Sequence, residues 1–301
     1  MKALSPVAAL VLCAGLSACG GSAGVPAPLP ETQTAGCMDL VPGGFPVTVA
    51  ALRESDKGNP VEGGGGMFSC IEGEQALSVD PETRTVLWTV TRVDPANFEG
   101  NPGTVYREVR QDPQLPYAAQ VPADPYADND IYGAIQYNSR QWVANSAPKI
   151  GHTFYTSNLA VADHGMLDAW KQLDDAILDA ARRKGPLTVI SGAVTGNRDG
   201  LKWINLPVPP PAKSISGIKT PDPEPQKMAV APYFYRLILR PESGEMIAYI
   251  IPNKPFPATG IAKQAVSVER LEASTGLVFF PLLPPERAQV LKSKPANILG
   301  Q

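Results

Sequence analysis

The sequence predicts a single α+β domain in which a central antiparallel sheet is flanked by helices. Three observations support this prediction. Strand-like and helix-like segments follow one another without the regular alternation that a parallel α/β sheet requires. Strand-like runs occur as neighbours joined by short turns, which favours antiparallel hairpins. About 265 residues remain after a predicted leader and tether, enough for one large domain.

The first 36 residues are predicted to lie outside this domain. Residues 1–18 combine a short basic start with an apolar run, and they lead into the sequence LSAC followed by Gly20, a pattern similar to a bacterial lipobox. Cys19 is then expected to be acylated and to become the mature N-terminus; an ordinary secretory signal with an incidental cysteine is the alternative. Residues 19–36 are small, proline-rich and nearly uncharged, which is typical of a flexible tether. The domain is assigned to residues 37–301.

The lipobox also predicts a location. A palmitate-type acyl chain on Cys19 would anchor the protein to the bacterial cell envelope. Gly20 follows this cysteine, whereas an aspartate there typically retains lipoproteins in the inner membrane. The outer membrane is therefore favoured, with the domain on either the periplasmic or the external face.

The four cysteines of the chain are consistent with export. Cys13 leaves with the leader and Cys19 carries the lipid, so Cys37 and Cys70 remain as an even pair. In an oxidising compartment this pair is predicted to form a disulfide. It would close a loop of about 34 residues and add about 3–4 kcal/mol of stability in the chain-entropy model. Two separate thiols are the alternative.

The net charge gives no support to a dedicated nucleic-acid binder. Lys2 is the only charged residue of the leader, so the mature chain keeps 25 of the 26 basic residues against 29 acidic ones, a net charge of −4. A dedicated nucleic-acid binder is expected to be strongly basic. Any nucleic-acid binding would have to come from a local basic groove.

Residues 76–93 are predicted to form the first hairpin. The Asp-Pro pair at 80–81 places a turn between two strand-like runs. In the second run, Val86, Trp88 and Val90 occupy alternate positions and are expected on one face of the strand.

Residues 94–136 are rich in proline and aspartate and are predicted to be mostly loop, and residues 153–160 are predicted to form a strand. Residues 164–184 carry the clearest helical pattern. Asp163 is placed to cap the start of this helix, and Gly185 to end it. Apolar residues at helical spacing predict its buried stripe: Met166, Leu167, Trp170, Leu173, Ile177, Leu178 and Ala181.

The C-terminal half is predicted to alternate strands and loops before a last helix. Residues 187–194 form an apolar strand, and residues 207–227 are a proline-rich excursion. Residues 233–240 and 246–252 are predicted to pair as a hairpin. Residues 267–276 are predicted to form a short helix with glycine at its C-terminal cap.

Taken together, five segments in the same order resemble the DNA/RNA non-specific endonuclease family, which are metal-dependent phosphodiester hydrolases with a ββα-metal site. Residues 76–93 resemble the family's opening hairpin, and residues 106–116 have the sequence YREVRQDPQLP, similar to its FREDPxxP segment. The sequence TFYTSNLA at 153–160, followed by AWKQLDD at 169–175, resembles the core pattern TFYLSNxxPQ…N…WxxLE. Residues 230–281 resemble the closing hairpin and last helix. The resemblance implies a ββα-metal endonuclease-like fold with a central antiparallel sheet.

The resemblance also implies a general-base histidine within a DRGH segment. Residues 137–145, YNSRQWVAN, occupy that place. Aligning arginine on arginine puts Trp142 at the histidine position, and aligning tyrosine on tyrosine puts Gln141 there. Neither an indole nor a carboxamide accepts a proton near pH 7.

The implied metal ligand is an asparagine on the helix that follows, where it would hold Mg²⁺. Counting back from Trp170 puts that position on Met166, and counting forward from Asn158 puts it on Leu167. Mg²⁺ prefers oxygen ligands, which neither residue provides. Asp174 matches the acidic residue that ends the pattern WxxLE.

The candidate site residues are therefore few. Arg140, His164 and Asp174 are the candidate catalytic residues, and Asp163 and Asp168 are the candidate metal ligands. His164 and Asp168 are four apart on one helix and share a face. The other histidine of the chain, His152, is predicted to be an exposed or capping residue.

These observations predict a pseudonuclease: a lipoprotein with the endonuclease scaffold that binds nucleic acid, another phosphodiester or an envelope protein without hydrolysis. No cofactor is expected for it. The alternative is a divergent active endonuclease or phosphodiesterase that uses His164 with Asp163 or Asp168 around Mg²⁺. A purely structural envelope protein is a third possibility, favoured by an acidic groove.

Overall fold

A seven-stranded antiparallel sheet forms the centre of the protein in a computed structural model that describes residues 35–56, 65–105, 107–116, 119–122, 132–196, 198–206 and 226–300. Its spatial order is β12-β11-β10-β7-β4-β3-β2. The strands in chain order are β1 (Val47–Thr48), β2 (Met67–Ile71), β3 (Gln75–Asp80), β4 (Thr85–Val93), β5 (Tyr132–Gln136), β6 (Leu159–Asp163), β7 (Leu187–Val194), β8 (Lys202–Asn205), β9 (Lys227–Val230), β10 (Tyr233–Leu239), β11 (Met246–Pro252), β12 (Ala265–Val266) and β13 (Leu277–Val278).

Helices and short strand pairs surround this sheet. The α-helices are α1 (Val49–Asp56), α2 (Ala147–His152), α3 (His164–Lys184), α4 (Val268–Thr275) and α5 (Pro285–Ser293). Three antiparallel pairs, β1–β13, β5–β6 and β8–β9, lie outside the large sheet. The predicted α+β class, with a central antiparallel sheet and flanking helices, is confirmed.

Two apolar cores lie on opposite faces of the sheet. The first contains the buried stripe of α3. The second contains the N-terminal turn at Ala35–Leu40, the inner face of α4 and the two phenylalanines Phe279 and Phe280. Because successive strand residues face opposite sides, every strand in the middle of the sheet contributes to both cores.

Helix α3 forms as its pattern predicts. The Asp163 carboxylate accepts a hydrogen bond from the backbone N–H of Gly165 at 2.8 Å, which caps the first turn. The helix ends at Gly185, which has a φ of 88°. Of the predicted stripe, Leu167 and Leu178 are half-buried and the other members are buried.

The strand predicted at 153–160 is wrong over most of its length. Residues Thr156–Asn158 form a 3₁₀ turn, and strand β6 begins only at Leu159. Polar side chains cause the difference, because they hydrogen-bond neighbouring groups instead of leaving the backbone to a ladder. Asn158 Nδ2 donates to the carbonyl oxygens of Asn138 at 3.0 Å and of Thr153 at 2.9 Å.

The common face predicted for Val86, Trp88 and Val90 is also wrong. Val86 lies in the core on the α3 side, whereas Trp88 and Val90 lie in the opposite core. The β3–β4 pairing shifts register at this point, so Leu87 has no partner of its own. Such a bulge moves the residues beyond it to the other face.

Cys37 and Cys70 form a disulfide, with an S–S distance of 2.07 Å and a Cα–Cα distance of 6.0 Å. The bond ties the N-terminal turn to the edge strand β2. The predicted leader, Cys19 and residues 20–34 of the predicted tether fall outside the described residues, as does residue range 207–225 of the proline-rich segment. Residues 35 and 36, predicted to belong to the tether, are instead part of the 3₁₀ turn Ala35–Leu40. Across the part of the chain that the structure describes, no helix has the length and apolar character needed to cross a membrane.

Candidate functional site

Strands β5 and β6 and helix α3 form one ββα unit. The strands pair antiparallel from Tyr132↔Asp163 to Gln136↔Leu159, and α3 begins directly after β6. The chain that leaves β5 then crosses the middle of α3, where Trp170 Nε1 donates to the Gln136 carbonyl oxygen at 3.0 Å. The position implied for the base and the position implied for the metal ligand therefore lie in the same unit.

The position implied for the base carries no proton acceptor in either alignment. Trp142 lies in the 3₁₀ turn Arg140–Val143, has no exposed surface and belongs to the core on the α3 side. Its indole Nε1 donates to the Asp174 carbonyl oxygen at 3.5 Å. Gln141 is half-buried. The structure thus fills this position with an indole packed against α3.

The position implied for the metal ligand does not fit Mg²⁺. Met166 has no exposed surface and belongs to the core, and Leu167 is a half-buried apolar side chain packed against that core. Neither can provide the oxygen that Mg²⁺ requires. Searched over the described ranges, the structure contains no group of three or more His, Cys, Asp or Glu side chains placed to hold a metal ion.

Asp174 forms a fully buried ion pair with Arg236 of β10. The guanidinium lies over the rings of Trp170 at 4.1 Å and Trp142 at 4.7 Å from their centroids. Its Nη1 also donates to the Tyr137 carbonyl oxygen at 2.6 Å. We call these four side chains (Trp142, Trp170, Asp174, Arg236) the arginine cage.

Burial dominates the electrostatics of the cage. It raises the pKa of Asp174 to about 7, although the Arg236 charge and a hydrogen bond from Ser139 both lower it. Burial likewise lowers the pKa of Arg236 to about 10, against the opposing effect of Asp174. The carboxyl is thus engaged by Arg236 and Ser139 inside the protein and does not face a solvent-filled cleft.

Arg236 was not among the candidate residues predicted from sequence. A signal was present, because it is the only charged residue in the otherwise apolar and aromatic strand YFYRLIL. A charged side chain within a buried strand requires a partner of opposite charge. The partner is 62 residues away in sequence, so the pairing itself was not predictable.

The candidate residues divide into two separate groups. Asp163, His164 and Asp168 lie at the first turns of α3, where Asp163 caps the helix and Asp168 is exposed. Asp174 lies ten residues beyond His164, about 15 Å along the helix axis. The exposed Arg140 follows Ser139, the residue that hydrogen-bonds Asp174. The structure therefore brings Asp174 to the chain segment of Arg140 but not to His164.

His152 is not freely exposed and lies outside the ββα unit. It ends helix α2, is half-buried, and stacks on Tyr155 with ring centroids 5.5 Å apart. Burial lowers its pKa, while the nearby Glu72 carboxylate raises it. It borders a small cavity together with Lys149, whose ammonium pairs with Glu74 at 2.7 Å. These contacts account for His152 as a packed surface residue.

Comparison with known families gives one match over most of the chain. The model of the family described as DNA/RNA non-specific endonuclease matches residues 72–286. This range contains β3 to β13 and helices α2 to α4, and therefore the whole ββα unit.

Individual relatives are distant. The mitochondrial nuclease EXOG of Xenopus laevis is 23% identical over 226 residues, which cover 70% of this chain and 58% of the relative. The mitochondrial endonuclease G of Bos taurus is 25% identical over 258 residues, covering 79% of this chain and 80% of the relative. The chain spans less than two thirds of the length of the EXOG nucleases that it matches.

One solved structure shows the same fold. It is a crystal structure of a complex of EndoG with EndoGI, described as showing the mechanism of EndoG inhibition. The two chains superpose with a TM-score of 0.57 at 21% identity, covering 73% of this chain and 89% of the other. At this identity the similarity extends to the fold alone.

Proposed function

Because this chain belongs to the DNA/RNA non-specific endonuclease family, we propose that it is a pseudonuclease that binds nucleic acid without hydrolysing it. One observation carries the proposal. Positions 166, 170 and 174 are spaced by four on α3 and share one face of the helix. This face carries the acidic residue of the family pattern and, in the alignment that counts back from Trp170, the metal ligand. It is buried: Met166 has no exposed surface, and Arg236 packs on Trp170 and pairs with Asp174.

The absence of a base at the implied position supports the proposed lack of hydrolysis. A positioned general base contributes about 10²–10⁴ to the rate of such reactions. Trp142 has no basic nitrogen, and its indole N–H already donates to Asp174. Gln141 is a carboxamide in the other alignment, so water attack receives no assistance from either residue.

The side chains of α3 also support the proposed lack of hydrolysis, because they offer no free metal ligand at the implied positions. A metal ion that neutralises the phosphate stabilises the transition state by several kcal/mol. Met166 offers no hard oxygen donor, and Asp174 already has a cationic partner in Arg236. Contributions of groups that act together are not additive, so the combined loss is expected to be large rather than a simple product.

A cleavage assay tests the proposal. Purified residues 20–301, incubated with supercoiled plasmid or with RNA in Mg²⁺ or Mn²⁺, are expected to give no cleavage above the level of a mock purification. Trp142→His and Met166→Asn are each expected to remain inactive, because each restores one group of a site whose helix face stays buried. The measurement is plasmid nicking on a gel over several hours.

The variant His164→Ala is the matched control. In an inactive protein it changes nothing, so equal residual cleavage by both proteins identifies a contaminant. If the wild-type protein nicks plasmid with Mg²⁺ or Mn²⁺, and His164→Ala abolishes nicking while keeping its circular dichroism spectrum, the pseudonuclease proposal is wrong. The alternative enzyme, with His164 and Asp163 or Asp168 as its working groups, would then be correct.

We also propose that the protein is anchored in the outer membrane through an acyl chain on Cys19. The support is the LSAC sequence at residues 16–19 with Gly20 after it. Cys19→Ser is expected to release the protein from the membrane fraction, because no acyl chain can then be attached. Cys13→Ser, which changes a leader cysteine, is the control and should leave the protein membrane-bound. Equal membrane retention of both variants would contradict the anchor.

A further inference from the structure

The two exposed large aromatic side chains in the described part of the chain lie near one end of the central sheet. Trp203 of β8 is 43% exposed and Tyr233 of β10 is 45% exposed. The other three tryptophans of the protein are each at most 3% exposed: Trp88, Trp142 and Trp170. Trp203 is therefore the one tryptophan that a ligand can reach from solvent.

Strand β8 presents Trp203 on an open edge. One side of β9 pairs with β8, with Trp203 opposite Ala229. The other side of β9 lies along the β3–β4 turn, where the Ala229 N–H donates to the Thr83 carbonyl oxygen at 2.9 Å. Strand β8 is thus the outer strand of its pair, and no described strand pairs with its free edge.

Tyr233 lies within reach of this strand. Tyr233 lies four positions after Ala229, the partner of Trp203, which corresponds to at most about 14 Å of extended chain. Tyr233 in turn pairs with Pro252 at the end of β11, two residues before Lys254. The two aromatic side chains and Lys254 therefore occupy one end of the fold.

Exposed lysines without an ion-pair partner among the described residues lie in this region, although the mature chain is acidic. Lys227, which lies opposite Asn205 on the Trp203 face of the pair, and Lys254 are exposed, and neither forms an ion pair with a residue that the structure describes. The carboxylates of Asp80 and Glu82, at the tip of the β3–β4 hairpin, are instead paired with Arg198. Asp199 is the carboxylate next to Arg198 in the turn before β8.

From this arrangement we infer that these four side chains (Trp203, Lys227, Tyr233, Lys254), which we call the Trp203 platform, bind single-stranded nucleic acid. Exposed aromatic rings stack on unpaired bases, and lysines beside them contact the phosphates. The bases of a duplex are already stacked on one another, so the platform selects single strands. Lysine is depleted from protein–protein interfaces, which favours a polyanion over a protein partner. The inference rests on the proposed function, because it assumes that the protein binds nucleic acid without cleaving it.

The test uses Trp203 as its own reporter. Purified residues 20–301 are titrated with an oligothymidylate of about 20 nucleotides, a length chosen to exceed the site size of a single binding module. The oligonucleotide is expected to quench the part of the tryptophan fluorescence that acrylamide can reach, because Trp203 is the exposed tryptophan. In Trp203→Phe this quenching by the oligonucleotide should be absent. Trp203→Ala is expected to weaken binding about tenfold by fluorescence anisotropy, since one base stack is lost.

Charge and location have separate controls. Lys227→Gln and Lys254→Gln are each expected to reduce the slope of log K against log salt by about 0.7, the value for one phosphate contact on a single strand. Leu282→Ser is the control for location. Leu282 is 74% exposed and lies next to Gly44, away from the Trp203 platform and on the sheet face that packs against the N-terminal turn. The variant should leave binding unchanged.

Several outcomes would overturn the platform. Binding that Trp203→Ala and both lysine variants leave intact would place the nucleic acid elsewhere, while nucleic-acid binding itself would stand. If a duplex of equal length competes as well as the single strand, the selection of single strands by the platform is wrong, while nucleic-acid binding itself again stands. If the oligonucleotide does not bind at all, the inference about the platform is wrong. The lack of hydrolysis is tested separately by the cleavage assay.

Discussion

Replacement of Arg236 by methionine is expected to lower the free energy of unfolding by about 3–5 kcal/mol, because it leaves the Asp174 carboxyl buried without its partner. Asp174 loses the ion pair and the guanidinium that fills the space between Trp142 and Trp170. Equilibrium unfolding in urea, followed by circular dichroism, measures the change. Loss of one partner is costly because both groups are buried in the core.

The double variant Arg236→Met/Asp174→Leu is the informative comparison. Replacing both partners of a buried ion pair by apolar residues is often neutral or stabilising, since it removes the desolvation penalty of both charges. We expect the double variant to recover most of the stability lost by Arg236→Met. The exposed pair formed by Lys171 and Asp175 on the same helix is the control, and Lys171→Met should change stability little. If the double variant is no more stable than Arg236→Met, the loss of stability in Arg236→Met does not come from the unpaired Asp174 carboxyl.

The pH dependence of Arg236→Met gives an independent readout. In the wild-type protein burial already raises the pKa of Asp174 to about 7, and removing the Arg236 charge raises it further. A carboxyl whose folded pKa exceeds its unfolded value stabilises most below the unfolded pKa, and this contribution is lost as pH rises through the folded pKa. The free energy of unfolding of Arg236→Met should therefore decrease as pH rises from about 4 through 7. The double variant should lack this dependence, because it has no carboxyl at position 174.

Removal of the disulfide is expected to lower the free energy of unfolding by about 3–4 kcal/mol, because the loop between Cys37 and Cys70 is no longer closed in the unfolded chain. The variant is Cys37→Ala/Cys70→Ala, which avoids placing new polar groups in the core around both positions. Unfolding in urea of residues 20–301, which contain no other cysteine, measures the effect.

A reductant provides the control for this prediction. Dithiothreitol should destabilise the wild-type protein by a similar amount and leave the double alanine variant unchanged. Thiol titration of the denatured, unreduced wild-type protein should find no reactive group. Two reactive thiols, or equal stability of the two proteins without reductant, would show that the bond does not form in solution.

Local chemistry explains which elements could be predicted from sequence. Helix α3 carries its own cap at Asp163, a stripe of apolar residues at helical spacing, and a glycine at position 185. The β10–β11 hairpin likewise carries two apolar runs around a five-residue turn, and it pairs in the predicted way. In both elements neighbouring residues specify the structure, because caps, turns and periodicity act over a few positions only.

The candidate site was predictable only in part. The sequence identified position 141 or 142 for a base, 166 or 167 for a metal ligand and 174 for an acidic residue, because short motifs preserve their spacing. The burial of Trp142 and Met166 depends on how the chain after β5 crosses α3, which no local pattern describes. The role of Asp174 depends on Arg236, a residue of another strand.

The sequence by itself determined helices α3 and α4, the β3–β4 and β10–β11 hairpins and their order, together with the family to which they belong. The tertiary structure alone decided which face Val86 occupies, since that depends on a bulge between β3 and β4. It also decided that Trp203 is exposed while the other tryptophans are buried. The physical reason is that propensity and capping act between neighbours along the chain, whereas burial and ion pairing are set by residues that meet only after the sheet has formed.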